Sequence, residues 1–186
     1  MDLRELKVKD QRVFVRVDFN VPLDGGAVAD DARIEAALPT LRLLLERGAR
    51  VICASHLGRP KGEPSDEFRL APVAKRLEEL LGSPVRYLTD CIGPDVEAAA
   101  AALEPGQVLL LENLRFHPGE TGNDPEFAAQ LAAFAGLYVD DAFGAAHRAH
   151  ASITGVPALV EEAAAGRLLE LEVEMLSRCV DAVSYT

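Results

Sequence analysis

Arginines and histidines stand after one apolar run after another in this chain, and their shared chemistry is the holding of a small anion. Along residues 13–22, Arg16, Asp18 and Asn20 take one parity, while Val13, Val15, Val17, Phe19 and Val21 take the other. Side chains alternate faces along an extended backbone, so this run reads as a strand presenting a guanidinium, a carboxylate and an amide towards its end. Pro22 closes it. His56 and Arg59 follow the second apolar run, Arg115 the fourth, His147 and Arg148 the fifth, and Arg33 stands in the first turn of the first helix. Guanidinium forks match carboxylate and phosphate oxygens, so the expected ligand is a small, multiply charged anion. Singly, each residue is ordinary: a loop arginine is mostly solvated, a histidine at a strand end is mostly structural, and an Arg–Asp pair on a half-exposed strand needs no ligand. Their coincidence on one edge carries the inference.

Several other chemistries lack their residues. His147 and His150 are three apart, but no Cys or Glu at ligand spacing accompanies them, so no metal site is expected. Asp18 beside arginines suits positioning or hydroxyl binding better than general base work. Neither GxGxxG nor GxxxxGK[ST] occurs, so no cradle for a di- or triphosphate is announced.

The elements that must carry these residues alternate. A helix is expected from about Ala32 to Gly48, with an Asp30-Asp31 cap and a kink or restart at Pro39. A buried strand over 50–55 runs into the loop 56–62, where two glycines and a proline constrain the path. Further helices are expected over 70–81, 95–103 and 125–135, and strands over 85–88, 107–111 and 137–139. The strands are apolar on both faces, which argues for α/β: a three-layer α/β/α Rossmann-like domain with a mainly parallel sheet. Ligands of such sheets bind at the carboxyl ends of the strands, where the polar residues gather. A last helix over 167–183 bears an apolar stripe of Leu169, Val173, Leu176, Val180 and Val183, which packs on this domain or joins it to something else.

Composition narrows the class. The 186 residues are 49% hydrophobic, enough for one substantial core. A formal charge of −11 would repel nucleic acid and anionic membranes overall, so an anionic ligand needs a local basic cluster. Cys53, Cys91 and Cys179 form no CxxC pair, which favours a reducing cytosol, and no apolar run reaches the roughly 18 residues of a membrane span.

With these residues in view, the chain resembles the phosphoglycerate kinase family, specifically its N-terminal, substrate-binding half. The resemblance rests on Arg16-Val17-Asp18-Phe19-Asn20-Val21-Pro22, Asp31-Ala32-Arg33-Ile34, the run from Ser55 through His56-Leu57-Gly58-Arg59 to Gly62, Leu111 through Arg115 to Phe116, and Asp141 through His147-Arg148 to Ser152. It implies a cytoplasmic, monomeric, two-lobed kinase that moves a phosphoryl group reversibly between 1,3-bisphosphoglycerate with ADP and 3-phosphoglycerate with ATP. Mg2+ would travel with the nucleotide, and no cofactor is expected on this chain. By similarity Asp18, Phe19 and Asn20 hold the glycerate region, and His56, Leu57, Gly58, Arg59, Arg115 and Arg148 hold the non-transferred phosphate and its surroundings. His147 supports that edge, and Arg33 is the catalytic residue reaching the phosphoryl group in flight. Residues 1–166 would be the substrate domain and 167–186 the start of the helix leading to a C-terminal nucleotide-binding domain absent here. Such a half should bind 3-phosphoglycerate weakly and turn nothing over. Ala145 and Thr121-Gly122 depart from the family's habit at positions expected not to touch the anion, and 181–186 match nothing recognisable. The alternative is a non-catalytic anion-binding α/β module. A Rossmann-type oxidoreductase suits the pattern of elements but lacks its glycine fingerprint.

Overall fold

Strand β1 (Arg12–Val17) lies at the middle of the molecule because both of its faces are apolar. Val13, Val15 and Val17 point into one core layer and Phe14 into the other, all fully buried. In this computed structural model, which describes the backbone of residues 2–183 and the side chains of 2–179, β1 pairs in parallel with β4 (Arg50–Ala54) and β7 (Leu137–Asp141). The register sets Val15 opposite Cys53 and Val139. With β5 (Val85–Tyr87), β6 (Val108–Leu110) and β8 (Glu162–Ala165), they make a six-stranded sheet in the order β5-β6-β4-β1-β7-β8, all pairs parallel. A small antiparallel pair, β2 (Leu23–Asp24) and β3 (Ala27–Val28), hangs from the loop after β1.

Helices cover both faces, as the doubly apolar strands require. One layer is built with α1 (Ala32–Glu46) and α2 (Ala71–Leu81), through Ile34, Leu41, Leu44, Val73 and Leu77, and with Leu3, Leu6 and Val8 of the N-terminal segment. The other is built with α3 (Pro94–Ala101) and α5 (Pro125–Ala132), through Val96, Ala99, Phe127 and Leu131 packed on Phe14, Ile52, Leu109 and Tyr138. Between them α4 (Pro118–Gly122) is a short helix, and α6 (Arg167–Val183) closes the chain.

The α/β class and the mainly parallel sheet agree with the sequence reading; the element ends move. β1 stops at Val17 rather than running to Val21, because the chain turns at Asp18 to bring the Phe19 amide to Ser55 Oγ at 2.8 Å. α1 continues through Pro39 as one helix instead of restarting. Asp31 does not cap it with its side chain; that carboxylate takes Arg76 of α2 at 2.6 Å, and Asp30 Oδ1 accepts the Ala32 amide instead. α3 starts at Pro94, one residue ahead of the expected 95, with Gly93 at its cap at φ +98, a conformation that suits glycine. α5 ends at Ala132, short of Ala135, and Asp124 caps it by accepting from the Phe127 amide. β8 and α4 are missing from the sequence reading. Of the α6 stripe, Val180 and Val183 lie outside the described side chains, and residues 184–186 outside the description altogether.

Candidate functional site

The sheet's strand order reverses around β1: β4, β5 and β6 build away to one side and β7 and β8 to the other. The loops leaving the carboxyl ends of β1, β4 and β7 therefore diverge and leave a crevice, the usual ligand position of an open parallel sheet. The polar residues collect there.

Arg59, Lys61, Arg115, Arg148 and His150 line a cavity of about 510 Å³, with Pro60, Gly62, Pro118 and Thr121 completing its wall. Arg115 is half-buried; its Nη1 donates to the Gly58 carbonyl at 2.7 Å, while its buried Nε has no partner. Burial first, then the charges of Arg148, Arg16 and Arg59, pull its pKa below the ordinary guanidinium value, with Glu120 opposing. A guanidinium stays charged all the same, so the cluster carries mutual repulsion that a bound anion would relieve.

Backbone geometry fixes the loop that supplies these cations. Asn113 Nδ2 donates to the carbonyls of Leu57 and Phe68 at 2.7 and 2.9 Å. Asn20 Oδ1 accepts the Gly58 amide at 2.8 Å. Gly58 has φ +61, and a Cβ there would sit 2.3 Å from the Phe68 ring, so only glycine fits.

Some residues assigned from sequence hold the site rather than face it. The side chains of Phe19 and Leu57 are buried in the core, and Gly58 offers backbone groups already bonded to Asn20 and Arg115. Arg16, read as part of the ligand edge, is wholly buried: its Nε donates to Ser152 Oγ at 2.9 Å, Nη1 to the Val17 carbonyl, and Nη2 meets His56 Nδ1 at 3.1 Å. Because a guanidinium only donates, His56 Nδ1 must accept and Nε2 must carry the ring proton. Burial, with Arg16 and Arg115 next, pushes the His56 pKa down to about 2, so the ring is neutral at any physiological pH. Asp18 and Arg33 lie beside the cavity, not in it. Arg33 Nη1 bonds Asp18 Oδ2 at 2.6 Å with its guanidinium half exposed, in a neighbouring hollow with Phe143, Gly144 and Leu168. His147 is exposed.

Lys61, Thr121 and His150 line the cavity although none was assigned to the ligand from sequence; Thr121 was placed away from it. The signal for Lys61 was its place on the same glycine-bounded loop as Arg59. Glu120 gave no signal, because one Glu in a Pro-Gly-Glu turn looks like a solvated charge. It is wholly buried and accepts from Ser152 Oγ at 2.6 Å and from the Ser152 amide at 3.0 Å. Elsewhere Asp90, Cys91 and His117 hold possible metal-ligand atoms within 4.8 Å of one another. His117 Nε2 already meets Asp90 Oδ1 at 2.7 Å, and burial keeps the Cys91 thiol protonated. The anion cavity itself does not suit Mg2+, since its lining is cationic and the nearby Asp18 is engaged by Arg33.

A parallel α/β sheet with guanidinium groups converging at its carboxyl edge defines an open-sheet domain with a cationic cavity. The family model described as phosphoglycerate kinase matches residues 3–185, which takes in most of the tail that the sequence alone leaves unplaced. The chain belongs to the phosphoglycerate kinase family. It is 61% identical over 180 residues to a phosphoglycerate kinase of Moorella thermoacetica, covering 97% of this chain and 46% of the relative. It is 55% identical to a chloroplastic phosphoglycerate kinase of Chlamydomonas reinhardtii, covering 96% of this chain and 39% of the relative. Among solved structures, phosphoglycerate kinase from Pyrococcus horikoshii superposes with a TM-score of 0.87 at 34% identity, and that from Coxiella burnetii with 0.84 at 42%. Each superposition covers 96% of this chain, and 45% and 44% of the solved chains respectively. The chain thus spans less than half the length of these relatives and matches their N-terminal part.

Proposed function

We propose that this chain is the substrate-binding half of a phosphoglycerate kinase, holding 3-phosphoglycerate or 1,3-bisphosphoglycerate at the carboxyl edge of its sheet. One observation carries the reading: in a chain of formal charge −11, Arg59, Lys61, Arg115 and Arg148 converge on one cavity. Guanidinium groups held 2.7 Å from backbone carbonyls, as Arg115 is, give fixed donors for phosphate oxygens. Asp18 and Asn20, at the open end of β1, lie where a glycerate hydroxyl and carboxylate would extend from that phosphate. Arg33, half exposed and tethered only to Asp18, can turn towards the transferred group and neutralise its charge.

Phosphoryl transfer also needs a nucleotide with Mg2+, which the cationic cavity does not suit, so transfer requires a second lobe beyond residues 1–166 with α6 leading towards it. Alone, the chain acts as an anion-binding module. A cytoplasmic location belongs to the same proposal, supported by the free thiols Cys53 and Cys91; no helix among the described residues is long and apolar enough to cross a membrane.

Calorimetric titration with 3-phosphoglycerate at low and high salt tests this. The expected result is one-to-one binding that weakens with salt, drops roughly tenfold or more in Arg59→Ala and Arg148→Ala, and changes less in Arg33→Ala. A chain folded by circular dichroism that gives no heat at millimolar ligand would overturn the assignment.

A further inference from the structure

Asp90, Cys91 and His117 lie outside the anion cavity, and each offers a metal-ligand atom within 4.8 Å of the other two, the one such group of three among the described residues. Spacing along the chain hides it, because His117 comes from the turn before α4 while Asp90 and Cys91 stand on the loop after β5. Each member is held in place. Asp90 Oδ1 accepts the Cys91 amide at 2.7 Å, and the Asp90 carbonyl accepts the Glu112 amide at 3.3 Å. The His117 ring stacks on Phe127 with centroids 5.3 Å apart and turns Nε2 to Asp90 Oδ1 at 2.7 Å. Cys91 is fully buried, whereas the Asp90 side chain is 56% exposed, so the group opens to solvent on one side. Burial first, then the charges of Asp90, Glu120 and Glu112, push the Cys91 pKa well up. The same negative field that discourages a bare thiolate attracts a divalent cation.

We propose that Asp90, Cys91 and His117 form a site for one zinc ion, bound by thiolate, imidazole and carboxylate with solvent in the fourth position. Sulfur, nitrogen and oxygen donors together suit zinc, whereas Mg2+ and Ca2+ take oxygen donors. Ligand atoms of a tetrahedral zinc stand about 3.3–3.8 Å apart, so separations of up to 4.8 Å need a shift of roughly 1 Å, which the exposed Asp90 allows. As Sγ binds, the thiol gives its proton to solvent; the ring keeps its one proton, on the nitrogen turned away from the ion. The Phe127 ring and the Cys91 amide already orient His117 and Asp90, so little ordering is left to binding. The ion clips the loop after β5 to α4, whose Pro118 and Thr121 wall the anion cavity. The site does not depend on the substrate reading above.

Co2+ serves as the probe, because a cobalt–thiolate bond gives a charge-transfer absorption that oxygen and nitrogen ligands do not, and Zn2+ binds the same donors more tightly. The chain carrying Cys179→Ser, which removes the exposed thiol, is titrated with Co2+ at mildly alkaline pH. The expected result is one Co2+ per chain with that absorption, displaced by Zn2+ and not by excess Mg2+. Adding Cys91→Ser should abolish it. Asp90→Asn and His117→Gln should each weaken Co2+ binding about tenfold or more, while Glu126→Gln, an exposed carboxylate in the hollow beside His117, should not. Zn2+ should also raise the urea midpoint of the Cys179→Ser chain and leave that of the chain with Cys91→Ser unmoved. Absorption that never appears, or that survives Cys91→Ser, overturns the proposal. Should Cys91→Ser fail to fold by circular dichroism, His117→Gln decides in its place, and Co2+ affinity equal to the parent's then overturns the site. No substrate enters the titration, so failure here leaves the substrate reading untouched.

Discussion

Arg16 shows how a residue's type can be right and its role misread. Its spacing with Asp18 and Asn20 marks it as an edge residue, yet β1 has cores on both faces, so the guanidinium turns inward and meets Ser152 and His56. Alternation along a strand tells which face a residue takes, and nothing about what covers that face. Two outcomes follow at this scale. Arg16→Met leaves Glu120 a buried carboxylate with its supporting cation gone, a loss of about 3–5 kcal/mol in urea unfolding, against under about 1 kcal/mol for the exposed Arg59→Met. Equal costs for the two would show that Arg16 is not the structural partner. The His56 ring should not titrate: its carbon-bound proton shifts in nuclear magnetic resonance are expected to stay flat from pH 5 to 8, since the pKa lies at about 2. A midpoint within that range would mean that Nδ1 does not accept from Arg16. The cavity arginines, by contrast, were legible, because Arg59, Arg115 and Arg148 each follow an apolar run and an open parallel sheet sends all such positions to one edge.

At the level of elements, the long periodic segments were readable and the joints between them were not. β8 is a run of Glu and Ala without apolar alternation, and it is a strand only because β7 offers it an edge. The junction it makes with α6 stores a titrating group. Asp141 ends β7; its Oδ1 accepts the Leu168 amide at 2.9 Å, its Oδ2 has no partner, and Gly166 packs so tightly that a Cβ would lie 2.7 Å from the Asp141 Cβ. Burial, opposed by Thr40 and the α6 amides, pushes the Asp141 pKa up to about 6. The protonated carboxyl is thus favoured by folding. Its contribution is complete below about pH 4, where the unfolded chain is also protonated, and is lost as pH rises through 6, reaching about 2–3 kcal/mol by pH 8. Asp141→Asn keeps the Oδ1 acceptor and removes the charge. Relative to the parent, its urea midpoint is expected to be higher at pH 8 than at pH 5; a difference independent of pH would rule this account out.

At the scale of the whole molecule, α6 is the element the domain does not cover. Its first turn rests on α1 and the end of β7, where Leu168 and Leu169 are half-buried, but Leu171, Val173, Met175 and Leu176 are each 51–55% exposed. The periodicity that made this helix legible does not say whether its apolar side finds a partner, because burial depends on chain that periodicity cannot see. Its relatives are about twice this length, and for the 186 residues alone another copy is the available apolar surface. The chain is therefore expected to self-associate weakly in sedimentation velocity, with a weight-average mass that climbs with concentration. Two forces oppose each other, and salt separates them. A formal charge of −11 on each copy repels the other and is screened as salt rises, whereas burial of apolar side chains is not weakened, so added salt should strengthen association. Leu171→Lys with Leu176→Lys should abolish it while shifting the urea midpoint little, because both side chains are already half in water. Association that survives the double substitution would place the contact elsewhere, and association that salt weakens would make it a charge contact rather than the open side of α6.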